Sequence, residues 1–300
     1  MDRLIIIGCG GIGRIVGEEA IRRWGSTVVG TVRTPDKRAE LEDLGITPLL
    51  LDLDRDEIFP VDPAGASILY LVPPPGGGFT DPRVARFLTL LDQWGPPSTI
   101  VYISTTAVYP EAPEGVWITE ETPPAPSTSR GKRRLDAEGR ILRWGEEHGV
   151  RTVILRVSGI YGPGRLPLMQ LLSGQPVLRP EEAKPSNRIH ADDLASICLA
   201  ALERGKAGEV YNVSDGHPTT ITHYFTEVAR LLELPPPRQV MMEEAHRVMS
   251  PLMISYVKEG SLISNRKLLD ELGVTLRYPS LTEGLPGCRP PDWVPPQKNA

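Results

Sequence analysis

The first half of the chain alternates short β-branched and aliphatic runs with amphipathic stretches, the pattern of a parallel sheet covered by helices on both faces. Runs at 3–7, 27–32, 47–51, 67–72, 99–103 and 151–156 predict six strands. Between the fourth and fifth runs, Val84, Phe87, Leu88 and Leu91 fall at i, i+3, i+4 and i+7. That spacing predicts a helix with one buried face, and Asp81 and Pro82 stand where an N-cap and a first helical residue belong. Beyond residue 157 the alternation decays. Helical stripes remain at Leu194, Ile197, Cys198 and Leu202 and at Phe225, Val228, Ala229 and Leu232, and a last helix is predicted from about Ser264 to Leu272, stopped by Gly273.

The first strand runs directly into a glycine cluster, Ile5-Ile6-Ile7-Gly8-Cys9-Gly10-Gly11-Ile12-Gly13. Gly8, Gly10 and Gly13 have the G-x-G-x-x-G spacing of a dinucleotide turn. Gly8 permits the tight turn, Gly10 lets the backbone approach a pyrophosphate, and Gly13 lets the next helix pack on the strand. Gly11 and Ile12 complete the turn, whose free amides and positive helix end would hold a diphosphate. Ile12, Ile15, Val16 and Ala20 give that helix its apolar face.

NAD enzymes carry an acid about 20 residues on, at the end of the second strand, to accept the ribose 2′-hydroxyl. Here the strand ends in Arg33-Thr34, with Lys37 and Arg38 following. A guanidinium there suits a 2′-phosphate, so NADP(H) is the expected cofactor and NAD(H) the alternative. After the third strand Asp52 and Leu53 are placed beside the adenine, with Asp54 a rival for Asp52. The run Pro73-Pro74-Pro75-Gly76-Gly77-Gly78 follows the fourth strand, where open α/β sheets bind ligands, and puts Pro73 and Pro74 at the cofactor's edge. The expected fold class is therefore α/β: a Rossmann doubly wound parallel sheet with a small mixed C-terminal substrate-binding lobe. Residues 1–157 form the NADP-binding Rossmann domain with contributions from 191–216, residues 158–285 the lobe, and 286–300 an unstructured proline-rich tail.

Composition narrows the function classes. Of 300 residues, 40% are hydrophobic and 24% charged, as in ordinary globular proteins. A net charge of −5 offers no general attraction to nucleic acid or anionic lipid, so neither is an expected partner. The three cysteines, Cys9, Cys198 and Cys288, lack the spacing of a zinc site or disulfide framework, which points to a reducing cytoplasm. Leu4 to Ile7 is too short for a signal-peptide core.

Five further segments resemble one family in order along nearly the whole chain: the atypical, extended-type short-chain dehydrogenases, or NAD-dependent epimerase/dehydratase-like proteins. They are Val101-Tyr102-Ile103-Ser104-Thr105-Thr106-Ala107-Val108-Tyr109; Arg156-Val157-Ser158-Gly159-Ile160-Tyr161-Gly162-Pro163-Gly164-Arg165; Asn187-Arg188-Ile189-His190-Ala191-Asp192-Asp193-Leu194; Tyr211-Asn212-Val213-Ser214-Asp215; and Glu271-Leu272-Gly273-Val274. The resemblance implies an active-site hydroxyl at Thr105, Ser158 and Gly159 flanking the nicotinamide, and a homodimer.

The family's chemistry uses a tyrosine acid/base and a lysine four residues later, which lowers the phenol pKa. No tyrosine in this chain has lysine four positions on. In register with the family, Arg130 takes the tyrosine position and Arg134 the lysine position. Arg134 could still hold ribose hydroxyls, but Arg130 stays protonated and cannot replace the acid. Thr105, Tyr109 and Arg134 are the expected catalytic residues, with Tyr109 a substitute acid. Arg165, Arg188 and His190 are expected at a small-molecule substrate. His190, Asp192 and Asp193 resemble a metal cluster, yet capping of a helix by one of the acids is the expectation, with no metal. The leading reading is an NADP(H)-dependent oxidoreductase moving hydride to or from a small carbonyl, hydroxyl or imine compound. Its rivals are a non-catalytic NADP(H)-binding sensor or scaffold and a sugar-nucleotide epimerase.

Overall fold

In the computed structural model, which describes residues 1–258 and 260–295, the apolar runs become the strands of one sheet. These are β1 (Arg3–Ile7), β2 (Thr27–Val32), β3 (Thr47–Leu50), β4 (Ser67–Tyr70), β5 (Thr99–Thr105), β6 (Arg151–Val157) and β7 (Glu209–Val213). All pair in parallel, in the order β3-β2-β1-β4-β5-β6-β7. Strand ends differ from the sequence expectation by one or two residues, β5 continuing to Thr105.

The unbroken apolar run of β1 has a direct cause. Leu4 and Ile6 point into one core and Ile5 and Ile7 into the other, so both faces are covered. The helices are α1 (Gly11–Trp24), α2 (Arg38–Glu42), α3 (Pro82–Leu91), α4 (Ser129–His148), α5 (Ala191–Arg204), α6 (Ile221–Leu231) and α7 (Pro251–Lys258), with shorter ones between. Apolar residues of α1 and α5 fill the first core, those of α3 and α4 the second. Asp81 caps α3 as its position predicts, accepting from the amides of Arg83 (3.0 Å) and Val84 (3.3 Å).

The chain leaves β3 and returns on the far side of β1 as β4, which makes the carboxyl ends of β1 and β4 the switch point of the sheet. After β6 it forms a lobe, returns to the sheet as α5 and β7, then builds the rest of the lobe around two apolar clusters.

Three expectations are corrected here. The cap of α5 is His190 itself, whose Nδ1 accepts from the Asp192 amide (3.2 Å); Asp193 instead accepts from the amides of Arg277 and Tyr278 (2.7 and 2.9 Å). The last predicted helix begins at Arg266, two residues later than expected. The proline-rich segment from 286 is not an unstructured tail up to Trp293. Pro286–Cys288 form a 3-10 turn that buries Cys288, and the Trp293 Nε1–H donates to the Leu232 carbonyl (2.9 Å), because the prolines are interspersed with side chains that complete the lobe's core. No helix among the described residues is long and apolar enough to cross a membrane.

Candidate functional site

The glycine turn lies at the switch point. Gly8 has φ +84°, and a Cβ there would come within 2.7 Å of Val72 Cγ2; one on Gly13 would meet Ile6 Cγ2 at 3.0 Å. Gly10 faces open space. The Gly8 and Cys9 amides donate to Oγ1 and the carbonyl of Thr31 (2.9 and 2.8 Å), which fastens the turn to β2. Gly10 is the N-cap of α1 and offers no side-chain acceptor, nor is there an acid in the first turn. The first amides of α1 are thus left to an outside acceptor, at the positive end of the helix dipole. The backbone cradle fits a dinucleotide.

A cleft of about 450 Å³ opens on one side of this turn. Arg33, Thr34, Asp52, Leu53 and Pro73 line it, together with Lys37. Asp52 accepts from the Asp54 amide (3.0 Å), and Asp54 is held by the fork of Arg83, whose Nε–H donates at 2.8 Å. The bond to Arg83 keeps the mostly exposed Asp54 carboxyl below its usual range. Arg83 also donates to the Pro73 carbonyl (3.0 Å), so the rim of the cleft is tied together by one guanidinium. Pro74 does not line this cleft. Beyond it, Arg133 of α4 donates to the Gly78 carbonyl (3.1 Å) and fastens the glycine run after β4.

On the other side lies a larger cleft of about 1010 Å³, between the ends of β5 and β6 and the lobe. Thr105, Tyr109, Ser158, Gly159, Arg165 and Arg188 all line it. The Thr105 Oγ1 accepts from the Ala107 amide (3.3 Å) at the start of a 3-10 turn. Ser158 donates to the Val213 carbonyl (2.9 Å) and the Gly159 amide to Asn187 O (3.1 Å). Arg188 is 6% exposed, donates to Thr219 Oγ1 (2.7 Å) and lies over the Tyr224 ring at 4.4 Å. Burial pushes its guanidinium down to about 10. Arg130 lines the cleft with its guanidinium over Tyr256 of α7 (4.6 Å).

Besides Pro74, two expected site residues stand elsewhere. Arg134, expected at the ribose, lines neither cleft; it donates to the Ile103 carbonyl (2.9 Å) and the Tyr102 hydroxyl (3.1 Å), closing the end of β5. His190, expected at the substrate, is 2% exposed and packed against Tyr161 and Tyr278. Its Nε2 is 3.8 Å from Cys288 Sγ, and Asp192 lies beside Nδ1, so the three resemble a nucleophilic triad. The thiol, however, is 1% exposed, is pushed up to about 11 by burial, and donates to the Gly284 carbonyl (3.1 Å). It has neither access nor thiolate character.

Tyr109 is in the cleft wall, but its hydroxyl donates to Asn212 Oδ1 (2.8 Å), its ring lies under Arg156 (4.8 Å), and burial raises its pKa. Behind it runs a buried network the sequence did not reveal. Arg156 pairs with Glu138 of α4 (2.7 Å), Glu138 also accepts from Ser104, and Glu120 accepts from the Asn212 amide (2.7 Å). A charged residue at a strand's buried position, opposite another in a helix, was the signal available for Arg156 and Glu138.

Residues 83–214 match the model of the NAD dependent epimerase/dehydratase family. Protein YeeZ of Escherichia coli (strain K12) is 26% identical over 289 residues, 93% of this chain and 97% of YeeZ. A functionally unknown conserved protein from Silicibacter pomeroyi DSS has a similar structure, with a TM-score of 0.78 and 29% identity over 96% of this chain and 98% of its own. The dTDP-glucose 4,6-dehydratase of Bacillus anthracis str. Ames, solved in complex with NAD, shares the fold at a TM-score of 0.74 with 16% identity, over 96% of this chain and 95% of its own. The family likeness thus runs from α3 to the end of β7, and the likenesses over nearly the whole chain are of the fold.

Proposed function

We propose that the chain is an NADP(H)-dependent oxidoreductase acting on a small carbonyl, hydroxyl or imine compound. The observation that carries this reading is the bare glycine turn at the junction of two clefts, one lined by Arg33 and Thr34 and the other by Thr105, Ser158 and Gly159. The small cleft has the size and lining for an adenosine with a 2′-phosphate on Arg33 and Lys37; the large one takes the nicotinamide end and the substrate.

Bound NADPH supplies the hydride. The protein's part is positioning. Thr105 offers a hydroxyl at the end of β5, and Arg130 at the mouth of α4 offers charge-assisted donors to a developing oxyanion without giving up its proton. Tyr109 is a weak acid in this setting, since burial raises its pKa and its proton is already donated to Asn212. That commitment is what favours the second reading, a dinucleotide-binding sensor without turnover.

Fluorescence titration with NADPH and NADH, followed by an aldehyde, ketone and imine panel read by cofactor oxidation, separates the two. We expect tighter binding of NADPH, a preference reduced by about tenfold or more in Arg33→Ala through loss of a charged hydrogen bond. Equal affinity for the two cofactors would overturn the role of Arg33. Tight binding with no turnover across the panel would establish the sensor.

A further inference from the structure

Arg165 belongs to the lobe, on the loop that follows the strand Gly159–Tyr161, yet it reaches back to the glycine turn. Its NH2 lies 2.6 Å from where a Cβ on Gly11 would stand. The side chain is half-buried and lines the large cleft, while Arg14, one turn into α1, lines the small one. Arg165 therefore stands where the two clefts meet.

Among the described residues, no side chain or carbonyl accepts a hydrogen bond from its guanidinium. Arg14 is engaged by Glu40, but no such partner serves Arg165. Burial first, and then the neighbouring Arg14 charge, push the Arg165 guanidinium below its usual range. Two guanidinium groups held near each other, at the amide end of a helix that is itself positive, form an unfavourable arrangement until an anion enters it. The anion has to be compact enough to touch the turn, and it has to pass between the clefts.

Resting on the dinucleotide reading above, we propose that Arg165 is a clamp delivered by the C-terminal lobe onto the diphosphate of the bound cofactor, opposite the first-turn amides of α1. A guanidinium suits this task because its planar fork matches phosphate oxygens two at a time. A side chain at position 11 would push the guanidinium out of this place. The same loop carries Leu166 and Pro167, which wall the substrate side of the large cleft. Cofactor binding thus fixes that wall.

The test compares the wild-type protein with Arg165→Gln and Arg165→Lys in titrations with NADPH and with adenosine 2′-monophosphate, a probe that has the nucleoside and 2′-phosphate but no diphosphate. Arg165→Gln should weaken NADPH by about 10- to 100-fold, the usual range for a lost charge-assisted hydrogen bond, and leave the probe within about twofold. Arg165→Lys should recover part of the loss. Hydrogen exchange gives a second readout: NADPH should protect residues 162–167 in the wild type and not in Arg165→Gln. NADPH affinity unchanged in Arg165→Gln overturns the clamp, as does an equal loss for NADPH and the probe, which would mean general damage to the site. A wild-type protein that binds neither NADPH nor NADH fails the dinucleotide reading itself.

Discussion

Asp215 is 4% exposed, and burial pushes its carboxyl up to about 6. The direction sets a sign for stability. With a folded-state value above the unfolded one of about 3.9, the native state binds the proton more tightly, so this residue's contribution is most favourable below about pH 4. It is lost as pH rises through 6, and the ionised group then costs up to about 3 kcal/mol. Asp215→Asn keeps an acceptor for the His217 amide (2.9 Å) and removes the ionisation. Urea unfolding midpoints at pH 4.5 and 7.0 should therefore show the variant gaining on the wild type as pH rises; parallel behaviour would refute the assignment. At this same scale the sequence was read well where a backbone need dictates the residue, as at Gly8 and Asp81. It was read poorly at Arg134 and His190, because nothing in a residue's type says which of several nearby acceptors it will find.

At the scale of elements, helix α4 carries three glycines, and two of them, Gly131 and Gly139, have opposite surroundings. A Cβ on Gly131 would stand 2.2 Å from the Ala107 carbonyl oxygen, a backbone atom, whereas one on Gly139 would meet nothing within 4 Å. Alanine raises helix propensity equally at both. Gly139→Ala should stabilise the protein by about 0.5–1 kcal/mol. Gly131→Ala should instead cost about 1–3 kcal/mol, since the helix must back away from the turn after β5. Denaturant midpoints of the two variants check this; the same sign for both would show that the close approach of α4 to Thr105–Tyr109 is not maintained. The six strands and α3 were legible from periodicity alone because a strand between two helical layers must be apolar throughout and a surface helix must be apolar on one face. The cap of α5 was not, since a histidine cap needs the ring turned back onto its own backbone.

The whole molecule is held together by returns of the chain. Residues 191–216, which follow the first lobe segments, come back to the sheet as α5 and β7, and residues 286–293 close the lobe over α6. Removal of everything after Leu285 should strip Cys288 and Trp293 from the lobe's core and cost about 2–4 kcal/mol, by analogy with large-to-small core changes. Thermal unfolding of the truncated chain would test it, an unchanged midpoint being the contrary result. Proline counting predicted a loose tail here. Burial decided otherwise, because a few apolar side chains at the end of a chain dock wherever a core is left open.

The chain's own order of residues determined the sheet, the position of the glycine turn within it and the cation-rich end of β2, since each depends on local spacing and on hydrophobic period. Tertiary structure alone decided which side chains share a cleft. Arg165 is far along the chain from Gly11, and Arg156 meets Glu138 only because a strand and a helix pack face to face. Contacts between distant segments are fixed by the packing of whole elements, and no local pattern encodes them.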